Sequence, residues 1–552
     1  MSMKLKFKLG RFYSRHELIF AVLLLLAIVL VFSCFISTVN SASQFTSGNP
    51  DKIVSNETEL REAINNAPTK KPFIIALNND ITLTDTTLII PANKNIILTS
   101  NKATNYYKLI GTAHGTVQFM VGEFSVSTIT VNDDAILELD GIGVTHACDY
   151  RGYVVGVTEK GQLIMHSGLI SSDIGGISNN GVFLMYDGEI SGNSAIEGGG
   201  VFNRGTFTML GGKISGNNAW NQGGGVYNED TFEMLGGEIS DNTAATGGGI
   251  YNWGGATSIE YKYTSSNTKE FGGYGNQYSG SFTLSGGVIS GNTAGRGGGV
   301  ENQGVFIMSG GVISDNTATG SGGGVSNGQT IVSGNFEMSG GEISANTAEK
   351  GGGVYNFFYS IVSLMGSGVI SDNTAELCGG VCIDGDFNMS GGMISGNIAS
   401  NGGGVYLGNG IFKLSGGEIS KNTATHDGGG IWVDNEKLDQ LFVSNGVIFS
   451  SNHASGAYDR DSMHDSVYRS QIGNRVTWTT PFTQGYNNYD ISYTSDNQVE
   501  ANILSYWVIT AGLSILVTWI GVVCVFLYFK KRRGKIQTAP QNTPTQSTFS
   551  AP

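Results

Sequence analysis

Carboxylates are the first residues to test for chemistry. Splitting a glycosidic bond takes two of them close in space, one as acid and one as base or nucleophile. In this chain acids recur at two places in a repeating unit. Just before a recurrent isoleucine the row reads Glu189, Lys213, Glu238, Val288, Val312, Glu342, Val369, Met393 and Glu418. Before a recurrent asparagine stand Asp241, Asp315 and Asp372. Neither row puts acids in two successive units, so neither supplies a catalytic pair. Asp133 and Asp134 adjoin in a loop-like context, and solvated acids are the ordinary state of such residues.

Histidine and cysteine offer no more. The seven histidines are dispersed. His146 and His166 stand one unit apart and could stack, but no nucleophile accompanies them. Outside the terminal apolar segments the cysteines are Cys148, Cys378 and Cys382. That odd number makes no disulfide framework, and too few ligands surround them for a metal. Cys378 and Cys382 pair only if the glycine corner between them folds back, because an extended strand holds them roughly 13 Å apart. Nonapeptide calcium repeats are absent. No catalytic residue, metal site or cofactor is assigned.

Aromatic residues are the remaining candidates. One row reads Phe202, Tyr227, Tyr251, Glu301, Ser326, Tyr355, Cys382, Tyr406 and Trp432. Each member follows a valine or isoleucine that should be buried, so strand alternation points the row outward, where rings can stack on sugars. Ring-on-ring packing between units is the competing reading, favoured by the break at Glu301 and Ser326. Extra residues enter after one corner at 253–280, 328–334, 357–361 and 434–439. The longest carries Trp253, Tyr261, Tyr263, Phe271, Tyr274 and Tyr278. The candidate ligand-binding residues are Tyr227, Tyr251, Trp253, Tyr263, Tyr274, Tyr355, Tyr406 and Trp432. A threonine row (Thr243, Thr293, Thr317, Thr347, Thr374, Thr423) is a single interrupted rank, unlike the paired ranks of ice-binding solenoids.

The scaffold for these residues is a repeat whose clearest copy is FEMSGGEISANTAEKGGGVYN, from Phe336 to Asn356. An isoleucine recurs at Ile170, Ile190, Ile214, Ile239, Ile289, Ile313, Ile343, Ile370, Ile394, Ile419 and Ile448, mostly 24 to 30 residues apart. Seven residues earlier a phenylalanine is usual, and Met or Leu follows it two places on. Phe-x-Met is a period-two pattern, so both side chains leave one face of a strand. Three residues after the isoleucine stands an asparagine, from Asn193 through Asn422, with Asn452 closing the row. Then come Ala, Gly-Gly-Gly, Val and often a second asparagine, as in Asn203 and Asn356. One such unit cannot bury its apolar residues alone, whereas stacked units form a continuous core. The pattern predicts an all-β parallel solenoid of about a dozen to fifteen turns, with three short strands per turn. Corner asparagines stack at one strand spacing and can bond in ladders. The 83 glycines and 8 prolines suit many tight corners and exclude a collagen period.

GGEISANTA…GGGVYN resembles the GGxI and FxxN repeats of the polymorphic outer-membrane-protein family. More broadly it resembles right-handed parallel β-helix, pectin-lyase-like surface proteins described as adhesin-like in bacteria and methanogenic archaea. The resemblance covers roughly 135–454 and implies a right-handed β-helix, displayed on a cell surface, that binds glycans or other cells. It departs from the outer-membrane family in ending without an autotransporter barrel. The fold also hosts polysaccharide lyases and glycosidases, so a carbohydrate-active enzyme is one alternative and a structural envelope component another.

Charge and hydropathy place the rest. Formal net charge is −14. The first 17 residues carry a net +4 and residues 530–552 carry +5, leaving about −23 between them. That acidity opposes a nucleic-acid partner. Residues 1–43 read as a signal peptide, with an uncleaved N-terminal anchor as the alternative. Residues 44–134 read as a cap and first turns, with a short helix beginning at Ser55. Residues 135–454 are the repeats and 455–502 a second cap and linker. Residues 503–529 are apolar and long enough to span a bilayer, and KKRRGK follows, so the tail 530–552 lies inside and the repeats outside.

Overall fold

A computed structural model describes residues 48–455, apart from short stretches of which 102–105, 114–126, 148–151, 264–268 and 276–279 are the longest, together with Asp490 and Ile491. The signal-peptide and transmembrane readings lie outside the described residues. Among the described residues no helix is long and apolar enough to cross a membrane.

The described chain is a parallel β-solenoid of about 14 turns. Its strands form four parallel sheets of 15, 14, 10 and 13 members. In one turn they are Asn335–Met338, Glu342–Ser344, Thr347–Lys350 and Val354–Asn356. We call these sheets Phe, Ile, Ala and Val after their buried columns. Four strands per turn replace the three anticipated from the repeat. The reason is that both asparagines make corners. The first separates the Ile and Ala sheets, and the second separates the Val sheet from the next Phe strand. Only the turns before Ser194 lack an Ala strand.

Register aligns the columns. Phe183, Phe207, Phe232, Phe282, Phe306 and Phe336 are successive partners. Their rings stack with centroids 4.5–5.1 Å apart. These phenylalanines, the methionines two places on and the isoleucine and valine columns are fully buried. One column differs from expectation at its end. Ile419 pairs with Phe449, so Phe449 takes the inward place and Ile448 is exposed. The last unit is one residue out of step there, and Asn452 restores the spacing.

The first asparagine column is a hydrogen-bonded chain. Asn316 Oδ1 accepts from the backbone N–H and Nδ2 of Asn292, at 3.0 and 2.9 Å. Its Nδ2 donates to Ile289 O and to Asn346 Oδ1, at 2.9 and 3.0 Å. The same links run from Asn193 to Asn452, and Asn452 Nδ2 donates to Asp490 Oδ1 at 2.9 Å. Burial raises the Asp490 carboxyl above its ordinary range, opposed by that bond. A second ladder links Asn179 to Asn356 and ends where Ile383 takes the column. The residue before the first ladder is left-handed, as at Asp315 (φ 58°) and Ala345 (φ 55°). The first glycine of the triplet is also left-handed. At Gly351 (φ +65°) a Cβ would sit 2.6 Å from Val354 O.

Helix α1, Glu57–Asn66, joins Leu60, Ala63 and Ile64 to the same core. Its cap is Asn56 rather than Ser55: Asn56 Oδ1 accepts from the Glu59 N–H at 3.0 Å. The Ser55 N–H, one residue before the cap, donates to Glu59 Oε2 at 2.8 Å and ties the entering chain to the first turn.

Two outcomes follow. Asn316→Ala strips four bonds from a buried chain and should lower stability by about 3–5 kcal/mol, with hydrogen exchange accelerating first at the Asn292–Asn346 corners. Ala345→Gly relieves a left-handed alanine and should raise stability by about 0.5–1 kcal/mol, read from thermal unfolding.

A candidate binding strip on the Val sheet

The aromatic row leaves the outer face of the Val sheet, as alternation requires, yet six of its nine members are buried. Phe202, Tyr227 and Tyr251 are only 1%, 4% and 2% accessible. Tyr153 Oη donates to Glu197 O at 2.6 Å, and Ala195 and Trp253 pack on the cluster. From the other side Arg204 lies 4.5 Å over the Phe202 ring and pairs with Glu229 at 2.9 Å. The rings of Phe202, Tyr227 and Tyr251 stack at 4.9 and 5.2 Å. Burial raises the Tyr227 and Tyr251 hydroxyls far above their ordinary range. Tyr227 and Tyr251 leave the sheet outward as expected, but they belong to a second, smaller core instead of an open row.

The row breaks where the sequence breaks. Glu301 and Ser326 are fully buried. Glu301 Oε1 meets Arg296 Nη2 at 3.2 Å and Gln303 Nε2 at 3.3 Å. Arg296 also reaches Gln329 Oε1 at 3.2 Å and lies 5.6 Å over the Phe357 ring. Burial raises the Glu301 carboxyl, and the Arg296 guanidinium opposes that shift.

Beyond the break the row opens. Tyr355, Tyr406 and Trp432 are half-buried. Tyr355 Oη donates to Asp384 Oδ2 at 2.6 Å, and its ring tilts onto Phe357 at 4.5 Å. Asn409 Nδ2 donates to Asp384 Oδ1 at 2.9 Å, and Lys437 Nζ donates to Asn409 Oδ1 at 2.9 Å. The Tyr406 and Trp432 rings stack at 4.2 Å. Between Tyr355 and Tyr406 the row holds Cys382, bonded to Cys378 across the corner with their Cα atoms 5.1 Å apart. Cys378 occupies the place of the first corner glycine (φ 59°), and that left-handed residue folds the chain back to bring the sulfurs together.

Trp253 is half-buried where the longest insertion leaves the rod. Within it Ser258–Tyr263 and Lys269–Gly275 form an antiparallel ribbon. Its register sets Tyr263 opposite Lys269, Tyr261 opposite Phe271, and Tyr274 opposite Ile259. Trp253, Tyr355, Tyr406, Trp432 and the ribbon thus all belong to one side, the Val sheet and the corner after it. His146 and His166 do not stack, since they close different sheets. His146 Nδ1 lies 3.0 Å from Thr128 Oγ1 and His166 Nε2 lies 3.0 Å from Glu138 Oε2.

Arg296, Gln303, Asp384, Asn409 and Lys437 were not singled out from the sequence. A signal existed for two of them. The row immediately after the second asparagine reads Arg204, Glu229, Trp253, Gln303, Gly328, Phe357 and Asp384, two places from the aromatic row and so beside it. No protein-family model, curated protein or solved structure matches the chain.

The raised Glu301 carboxyl has a defined pH signature. Its stabilised form is the neutral acid, so its stability contribution is full below the unfolded carboxyl range and is lost as pH rises through the folded value. Glu301→Gln should therefore raise the thermal midpoint at pH 7–8 and leave it unchanged near pH 3, as a pair of melting curves would record.

Proposed function

We propose that this chain is a non-catalytic, adhesin-like surface protein whose solenoid binds glycans or neighbouring cells from outside a membrane. Segment 503–529 would be its anchor and 1–43 its export signal. The carrying observation is the open half of the strip. Stacked rings at Tyr406 and Trp432 adjoin matched donors and acceptors at Tyr355, Asp384, Asn409 and Lys437. From Tyr355 to Trp432 the strip crosses three strand spacings, about 14 Å. Rings flanked by polar groups on a rigid face suit sugar chains, whose faces are apolar and whose edges carry hydroxyls.

Three further features support the reading. A Cys378–Cys382 disulfide suits an oxidising exterior. The strongly acidic middle of the chain disfavours nucleic acid. The GGEISANTA…GGGVYN units resemble pectin-lyase-like, GGxI/FxxN surface proteins.

A glycan array and a whole-cell binding assay with the full-length protein test the proposal. Tyr406→Ala with Trp432→Ala should weaken binding about tenfold, equivalent to losing roughly 1.4 kcal/mol. The buried-ring control Tyr227→Phe should leave binding unchanged. Turnover of a polysaccharide, seen as new reducing ends or unsaturated products, would establish the carbohydrate-active alternative instead. Neither binding nor turnover would leave a structural envelope role.

A further inference from the structure

A groove of about 890 Å³ lies on a different part of the rod, at the corner between the Phe and Ile sheets in the early turns. Its long axis follows the outer row of the Ile sheet, which runs in register through Lys108, Gly143, Leu169, Glu189 and Lys213. Four strand spacings make that row about 19 Å long.

The floor contains a glycine that the fold does not require. Farther along, the same row carries Glu238, Val288, Val312, Glu342, Val369, Met393 and Glu418. Gly143 has no left-handed φ, and a Cβ there would come within 2.9 Å of Lys108 Cγ and 3.7 Å of its Cβ, so that the Lys108 stem must turn aside while the backbone stays in place. Gly168 differs: it is left-handed (φ +114°), and a Cβ would lie 2.3 Å from Ile142 O. Gly168 serves the corner, whereas Gly143 leaves open a place that the rod would accept filled.

The walls carry unspent hydrogen-bonding capacity of both signs. Among the described residues, no carboxylate pairs with the Lys108 ammonium and no donor meets the Glu189 carboxylate. Among the described residues, the Asp187 carboxylate accepts only the adjacent Gly188 N–H, at 2.8 Å. Lys213 is held by Glu238 at 2.9 Å and closes one end. At the other end the Tyr106 ring lies beside Gly141, within 3.3 Å of where a Cβ would stand.

We infer that this groove is a second binding site, for a short uncharged oligosaccharide lying along the rod axis. Hydroxyls can donate to Asp187 and Glu189 and accept from Lys108, and Tyr106 offers a ring face to a sugar. The mixed charges disfavour a polyanion, because Asp187 and Glu189 stand between the two lysines. The inference stands apart from the Tyr406–Trp432 strip, since no residue is shared and the sheets differ.

The test is calorimetric titration of the full-length protein with cellotetraose, maltotetraose and chitotetraose, and with tetragalacturonate as the anionic probe. At least one neutral tetrasaccharide should bind saturably and more tightly than tetragalacturonate. Gly143→Leu, at a row position that carries Leu169 one turn on, should reduce that binding at least tenfold with an unchanged melting midpoint. Glu189→Gln should reduce it severalfold, and Tyr406→Ala with Trp432→Ala should leave it intact. Unaltered affinity in Gly143→Leu, no saturable neutral ligand, or a preference for tetragalacturonate would each overturn the inference. Loss of binding confined to the Tyr406/Trp432 variant would assign the ligand to the strip.

Discussion

The asparagine chain at the first corner sets the terms for everything else. Each interior member uses both Nδ2 hydrogens and accepts twice at Oδ1, so a buried amide is satisfied in full. The amide-to-amide links are directional: each Nδ2 donates one hydrogen to the Oδ1 of the later turn and the other to the isoleucine carbonyl of the earlier one. Such a chain needs one asparagine per turn at one strand spacing, and a register slip would orphan several buried polar atoms at once. The ladder therefore tolerates changes in turn length only when they leave its corner undisturbed. Insertions accordingly gather elsewhere, after the second asparagine, even where successive ladder members stand 50 residues apart in sequence.

That division of labour explains where function can reside. The inward columns of phenylalanine, methionine, isoleucine and valine only have to stack. The outward rows are constrained by what the neighbouring strand leaves uncovered. On the Val sheet the stacked rings, with Ala195 and Trp253 packed on them, make the early part of an outward row into a small core. Later the row carries Tyr406 and Trp432, Cys382 breaks its run of rings, and it remains half-open. On the Ile sheet Gly143 and its charged neighbours border a groove. One scaffold thus holds two surfaces of different character, one aromatic and amide-rich, the other flanked by charges of both signs.

The corner at Cys378 joins these themes. The place calls for a left-handed residue, which glycine supplies in the neighbouring turns. Cysteine accepts the conformation, and the fold-back that results sets Cys382 within bonding reach. A local backbone requirement of the repeat thereby creates a covalent clasp inside the candidate strip.

Much of this was legible in the residues alone. Phe-x-Met, the isoleucine column and both asparagine rows specify a parallel solenoid, because period-two burial and fixed corner spacing admit few other folds. They also identify the corner from which the insertions leave. Strand count was not legible, because a second buried asparagine looks the same in sequence whether it ends a strand or lies within one. Nor was the fate of Tyr227 and Tyr251. Alternation decides which way a side chain leaves its own strand, but only the packed neighbours decide whether water reaches it. The Gly143 groove escaped for the same reason: a single glycine among 83 gains meaning only when register lines it up with Lys108 and Leu169. Composition and periodicity determined the coil and its core. Tertiary structure decided which outward residues are surface, since exposure depends on adjacent turns distant in sequence.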